Sequence, residues 1–436
     1  MSRETPFTTP LATDGEHALI REIRLEVLEG VDAGARFRSS RERAVIGTHP
    51  STDFVLRDPA VSRFHVELQL LGGRVLVRDL ESKNGTTVDG VAVQGAYLQG
   101  SARIGLGKTV LQCTLGEPNV RLALSRRERF GDLVGRSQAM RACFALLESA
   151  ASSDATVLLS GETGAGKDLA AEAIHRESAR AAGPFAVVDC GAVPSHLLED
   201  ELFGHERGAF TGATGARAGA FESAAGGSLF LDEIGELPLA LQPVLLRAVE
   251  SRKVRRIGSG QPIPVDVRII AASNRDLKAE VNAHRFRADL YFRLAVLEIG
   301  VPPLRDRIDD LPQLVDELIQ ARGLAAAPGA RALLQPDAMA ELRAHPWPGN
   351  VRELANYLER CAALDSREPL ERGSAPPALD TRVPIRDARE RWVRWFERQY
   401  LERLLADHGG NVTAAARTAG CDRIHLHRLL ARAGLR

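Results

Sequence analysis

The stretch that most limits what this chain can fold into is Gly161-Glu162-Thr163-Gly164-Ala165-Gly166-Lys167-Asp168. A short apolar run, Thr156 to Leu159, precedes it, and a helix-like segment, Leu169 to Ile174, follows. A strand, a glycine loop with a lysine, and then a helix is the order of a P-loop. The glycines let successive backbone N–H groups converge on phosphates, and the helix N-terminus adds a favourable dipole. Lys167 would reach the β- and γ-phosphates. Asp168 stands where a Ser or Thr hydroxyl usually binds Mg²⁺, so that ligand is missing.

A second segment turns phosphate binding into hydrolysis. Gly226-Gly227-Ser228-Leu229-Phe230-Leu231-Asp232-Glu233 reads as a buried strand that ends in two carboxylates. Asp232 is then placed to hold Mg²⁺, and Glu233 to polarise an attacking water. One of the two acids could instead cap the next helix. A further strand, Val267 to Ser273, ends in Asn274, which can orient the same water. Phosphoryl transfer also needs positive charge at the transition state, often an arginine from a neighbouring subunit. Arg287 and Arg293 in Phe286–Leu294, and Arg352 at a Pro/Gly-marked helix start, are the candidates.

The remaining chain divides by pattern. At 436 residues it has room for about three domains. Hydrophobic content of 44% and charged content of 26% exclude disorder and membrane classes. No apolar run nears the ~20 residues of a membrane helix, and the N-terminus has no signal-peptide pattern. The five cysteines lack CxxC spacing and read as free thiols of a cytoplasmic protein. Lys+Arg and Asp+Glu balance at 57 each, so any nucleic-acid signal must be local.

Residues 1–22 read as a flexible Thr-rich tail, 118–131 as a charged linker and 367–384 as a Pro-rich linker. Between them, residues 23–117 alternate with period two. Gly72-Gly73 and Asp89-Gly90 give hairpin signals, so this is a β-sandwich. Residues 132–366 alternate helical and β-type apolar runs, an α/β domain. Residues 385–436 are helical, with eleven Arg and no Lys against six Asp and Glu. There Asn411 caps a short helix, Ala419-Gly420-Cys421 turns, and a basic helix follows from Arg423 to Ala431. That is an all-α helix-turn-helix in which Arg423, His425 and Arg428 are the candidate DNA contacts. The same pattern would also suit a dimerising helical hairpin. Trp392, Trp395 and Phe396 read as a dimer core.

One loop narrows the choice. In Glu201–Ala213, two glycines flank Ala-Phe-Thr, which leaves a phenylalanine with little core to join. Together with both nucleotide motifs in order, Gly208-Ala209-Phe210-Thr211-Gly212-Ala213 is the signature of the AAA+ ATPases that activate sigma-54 RNA polymerase. The match covers Leu133 to about Ala363. The resemblance implies an α/β P-loop AAA+ ATPase with a helical lid, ATP and Mg²⁺ as cofactors, and a homo-oligomer from dimer to hexamer. It implies that Gly208 to Ala213 contact the sigma factor, with Phe210 and Thr211 at the tip. Arg287 and Arg293 would reach a neighbour's ATP, with Arg352 the second sensor. The family carries an acidic residue where Asp168 stands. It has an asparagine where Asp189 stands, and a carboxylate there would repel Glu233.

The sandwich resembles a forkhead-associated (FHA) domain in Ile46-Gly47-Thr48, Ser62-Arg63-Phe64-His65 and Ser82-Lys83-Asn84-Gly85-Thr86. The resemblance implies phosphothreonine binding, with Ser62 and Arg63 on the phosphate, Asn84 on the peptide backbone, and His65 bracing the loops. An arginine common in that family is Thr48 here, which removes a charge-assisted contact; a sandwich kept only for docking is the alternative. The C-terminal domain resembles the Fis type.

These readings describe a multidomain, cytoplasmic activator that binds enhancer DNA and remodels the sigma-54 RNA polymerase holoenzyme. A phosphothreonine protein or Ser/Thr kinase would be its regulatory partner. An AAA+ unfoldase or chelatase would share the ATP motifs but leave Gly208–Ala213 and the helix-turn-helix unexplained. A non-hydrolysing DNA-bound scaffold would not need Glu233.

Overall fold

The computed structural model describes residues 17–366 except 40, 72, 99 and 212, then 370, 385–408, 412–419, 426, 427, 429 and 430. The N-terminal sandwich is built from two sheets. A six-stranded sheet runs in the order Arg36–Arg38, His17–Glu29, Thr109–Ala123, Ala102–Leu106, Thr86–Val88, Val91–Val93. The five-stranded sheet facing it runs Phe54–Val55, Arg43–Gly47, Val66–Leu71, Arg74–Asp79, Gly95–Leu98. The first strand of the sandwich begins at His17 and its last long one ends at Ala123. The sandwich thus reaches beyond the expected limits 23 and 117, because alternation weakens where the paired ends Ala18–Leu122 and Ile20–Val120 lie. At the expected turns Leu71 pairs with Arg74, and Val88 with Val91. Asp89 and Gly90 both take positive φ, 48° and 83°, as a two-residue hairpin turn requires.

The central domain holds a five-stranded parallel sheet in the order Phe185–Asp189, Ser228–Asp232, Arg268–Ser273, Val157–Ser160, Leu297–Gly300. Such strands are covered on both faces and so read as continuous apolar runs. The period-two geometry still shows in where they pack. Leu158, Leu229, Leu231, Ile269 and Ala271 join one core cluster. Val157, Leu159, Phe230, Ile270 and Ala272 join the other, with the helices Gln138–Ala151 and Lys167–Arg176. Register aligns Asp189 with Asp232 and Ser160 with Ser273. The polar residues after these strands therefore emerge at one edge, the carboxyl end of the sheet, where α/β folds bind ligands. Helices Leu311–Ala321 and Asn350–Ala363 belong to the segment that follows.

The C-terminal unit contains helices Ile385–Asp407 and Val412–Thr418. Leu401, Leu404, Val412, Ala415, Ala416, Leu426 and Leu430 form its core. Trp392 and Trp395 meet edge to face at 5.7 Å, whereas Phe396 is 60% exposed. Arg423, His425 and Arg428 lie outside the described residues, as do the tail threonines. No helix among the described residues is long and apolar enough to cross a membrane.

Candidate functional site: a P-loop at the edge of a parallel sheet

The P-loop leaves its strand at Ser160 and ends where the helix Lys167–Arg176 begins. Gly164 and Gly166 have φ of 76° and 106°, which a side chain would strain. Gly164 has a second reason to lack a side chain. A Cβ there would stand 2.4 Å from the Gly349 carbonyl oxygen and 2.8 Å from the Arg352 Cβ. Lys167 is buried, and its ammonium donates to the carbonyls of Gly161 (3.1 Å) and Glu162 (3.4 Å). It also lies 3.8 Å from Glu233 Oε1. Asp168 sits exposed in the first helical turn, where a carboxylate suits the helix dipole.

Asp232 ends its strand half-buried, and Glu233 follows in left-handed backbone, φ 47°. That turn swings Glu233 across toward the next strand, where the Asn274 N–H donates to its Oε2 at 3.1 Å. The Asn274 side chain donates in turn to Thr163 Oγ1 on the P-loop, 3.1 Å. Burial raises the pKa of Asp232; the Glu233 N–H and the Lys167 charge oppose this, and the Asp189 and Asp168 charges add to it. A half-buried carboxylate with nearby acids is a site that gains from a bound cation.

Asp189 borders the Glu233 turn at Gly191. Its Oδ1 accepts the N–H groups of Gly191 (2.8 Å) and Ala192 (2.9 Å), a local turn that holds the loop after its strand. Its charge also adds to the raised pKa of Asp232.

Three residues that sequence reasoning passed over grip the P-loop from the lid side. Asn350, fully buried, donates to Glu162 Oε2 and to the Thr163 carbonyl, both at 3.1 Å. Arg305 makes a bidentate pair with Glu162 at 2.7 and 2.5 Å. Arg307, buried, donates to the Ala165 carbonyl at 2.8 Å. The Val351 N–H completes the set on the Gly164 carbonyl, 3.0 Å. The alternate arginines of Pro303-Leu304-Arg305-Asp306-Arg307 are a sequence signal for Arg305 and Arg307, and none marks Asn350.

The Gly208–Ala213 loop is a compact turn, with Gly212 outside the described residues. The Gly208 N–H donates to the Ala213 carbonyl at 2.9 Å, and the Ala213 N–H to that of Phe210 at 3.0 Å. Phe210 is 44% exposed and rests edge-on against His205, 5.0 Å between ring centres. Arg256 ties the base of the loop, bonding Glu206 at 3.1 Å and Glu222 at 2.7 and 2.8 Å.

Arg287 precedes the helix Ala288–Leu294, and Arg293 lies near its end; both are exposed. Arg287 is engaged by Asp289 at 2.7 Å. Arg352 is exposed at the start of its helix, beside Gly164. In the sandwich, Gly47 crosses so close to the Ser62–His65 loop that a Cβ would lie 2.0 Å from the Arg63 carbonyl oxygen. The His65 ring accepts the Ser62 N–H at Nδ1, 3.0 Å, so its Nε2–H must be the donor to the Gly85 carbonyl, 3.0 Å. One buried ring thereby braces both loops. Arg63 and Asn84 stay exposed, Asn84 donating to the Ala60 carbonyl at 2.7 Å.

Residues 133–300 match the family described as "Sigma-54 interaction domain", and 305–391 the "AAA+ ATPase lid domain". The chain is 40% identical over 381 residues to the nitric oxide reductase transcription regulator NorR2 of Cupriavidus necator, covering 80% of this chain and 71% of that one. The chain belongs to the sigma-54-dependent transcriptional activators. It is also 46% identical over 294 residues to the transcriptional regulatory protein GlrR of Escherichia coli, 66% of this chain. It spans 65% of GlrR's length. Among solved structures it is similar to NtrX of Brucella abortus in complex with ADP. That match has 36% identity and a TM-score of 0.51, covering 69% of this chain and 70% of NtrX. Residues 26–115, the sandwich of this activator, match the family "Inner membrane component of T3SS, cytoplasmic domain".

Proposed function

We propose that this activator hydrolyses ATP as an oligomeric ring, remodels the sigma-54 RNA polymerase holoenzyme, binds enhancer DNA, and takes its signal through the FHA-like sandwich. The observation that carries the reading is the meeting of Lys167, Asp232, Glu233 and Asn274 at one sheet edge around a P-loop. The ADP-bound state of NtrX supports nucleotide binding at the matching domain.

The residues fit a magnesium nucleotide. P-loop N–H groups and Lys167 would neutralise phosphate charge, and Asp232 would hold the cation, which would offset charge building on the phosphoryl oxygens. Glu233 takes the proton of the attacking water, and Asn274 fixes the direction of its carboxylate. Because Asn274 also holds Thr163, the proton acceptor and the phosphate cradle move as one piece. Arg287 and Arg293 lie exposed, as fingers for a neighbour's ATP must, and Asp289 has to release Arg287 first. Arg352 stands against the P-loop tip, where it would sense the γ-phosphate. Phe210 and Thr211 would carry the resulting movement to the sigma factor. Ser62, Arg63 and Asn84 would receive a phosphothreonine, and Arg423, His425 and Arg428 the DNA.

The purified full chain, sigma-54 holoenzyme and a supercoiled promoter test this together. Glu233→Gln should keep ATP binding and lower hydrolysis by ~100-fold or more, the scale of a lost general base. Open-complex formation should fall with it. Transcription that persists in this variant would instead favour a scaffold.

A further inference from the structure

The loops of the sandwich that resemble phosphopeptide-binding loops are not all turned to solvent. Phe64, inside Ser62–His65, is 1% exposed and packs edge-on against Tyr291 at 5.6 Å and at a tilt against Phe292 at 5.9 Å. His49, just after Thr48, stacks on Phe292 with ring centres 4.2 Å apart and planes 13° apart. Val45, Phe64 and Leu80 cluster with the core of the ATPase, although their backbone belongs to the sandwich. On the ATPase side, the Asn282 side chain donates to the carbonyls of both Phe64 and Leu80.

A charged network surrounds this apolar centre. Arg43 pairs with Glu67 of its own sheet and with Glu298 of the ATPase at 3.4 Å. Arg78 bridges Glu67 and Asp276, and Lys278 holds Glu298 at 2.7 Å. Glu67 keeps only 3% of its side chain exposed. Charges this desolvated cost free energy unless their partners stay in place, so the contact is specific in register.

Tyr291 and Phe292 lie on the helix that carries Arg293 and immediately precede it. A finger works in trans only if a neighbouring ATPase reaches that helix. The sandwich covers the face beside it.

We infer that the Ser62–His65 loop is a two-sided clamp, its Phe64 side docked on the finger helix so that the sandwich opposes assembly of the ring. Ser62 and Arg63 form the outer side of the same four residues. A phosphothreonine peptide that pulls on them loosens Phe64 and frees the helix. The inference rests on the reading of the domain as a ring-forming ATPase. It goes further by naming the surface that controls assembly.

Sedimentation velocity on the full chain, over a concentration series with and without ATP, tests it. Phe64→Ala and Asn282→Ala weaken the clamp from opposite sides. His49→Ala does so from a half-exposed loop position that the sandwich core does not need. Each should assemble at about fivefold lower concentration or less, the lower end of usual site-to-site coupling. Assembly at the wild-type concentration or above in all three overturns the inference, whatever the hydrolysis rate. Easier assembly in variants of a chain that hydrolyses no ATP would leave the clamp standing and refute the enzymatic reading alone.

Discussion

Replacement of Asn350 tests whether the lid segment and the P-loop form one unit. The side chain is fully buried, its Oδ1 accepts the Leu304 N–H at 2.7 Å, and its Nδ2 serves Glu162 and Thr163. Its backbone is left-handed, φ 54°. Alanine strands the Leu304 N–H, which costs about 1–3 kcal/mol. A Cβ without asparagine's local hydrogen bonding adds about 1 kcal/mol of backbone strain. Asn350→Ala should therefore lose about 2–4 kcal/mol. Asn350→Gly, which removes the strain and leaves the orphaned donor, should lose about 1 kcal/mol less. Asn350→Asp keeps the acceptor for Leu304 but sets a second carboxylate against Glu162, so it should be less stable above the carboxylate range than below it. Urea titration followed by far-ultraviolet circular dichroism reads the stability, and the KM for ATP should rise as Thr163 loses its tether. Asn350→Ala within about 0.5 kcal/mol of wild type, the usual noise of a surface change, would refute the argument, as would a glycine variant weaker than alanine.

Other residues give separate tests. Burial holds the His65 pKa below its usual 6.5, and a proton on Nδ1 would break the Ser62 N–H bond. The folded pKa lies below the unfolded one, so this stability is complete above 6.5 and is lost as pH falls through the folded value. The thermal midpoint of residues 1–125 should fall over that window, and His65→Gln should flatten the slope. Thr211→Ala should keep ATPase activity and lose open-complex formation; loss of both would mean the loop is part of the hydrolytic site. Asp189→Asn keeps the acceptor for Gly191 and Ala192 and removes a charge that raises the Asp232 pKa. The acid limb of its kcat/KM profile should move to lower pH, and an unmoved limb would separate the two residues. Calorimetry of residues 1–125 with peptides phosphorylated at Thr5, Thr8, Thr9 or Thr13 should show binding that Arg63→Ala abolishes.

Much of the site was legible because local chemistry announces it. Lys167 after its glycines, and Asp232-Glu233 after an apolar run, are short-range patterns with one geometric solution in a parallel sheet. The turn at Asp89-Gly90 is as direct, since its residues tolerate the backbone that the hairpin needs. Asn350, Arg305 and Arg307 gave little signal, for each acts on a residue more than a hundred positions away. Asp189 read as a repulsive neighbour of Glu233 from the asparagine that the family carries there; the fold adds that two nearby N–H groups take its oxygen and that its charge acts on Asp232.

The sequence by itself determined the nucleotide motifs and their alignment at the carboxyl ends of strands. Period-two and glycine-loop patterns are properties of neighbouring residues, so no distant contact is needed to read them. Only the tertiary structure decided which groups hold the P-loop and what the sandwich loops touch. Phe64 shows why. Beside Arg63 and His65 it looks like part of a binding loop, and its neighbours in sequence offer nothing to bury it. The Tyr291–Phe292 surface that does so lies more than two hundred residues along the chain, and desolvating an aromatic ring needs such a surface rather than a motif.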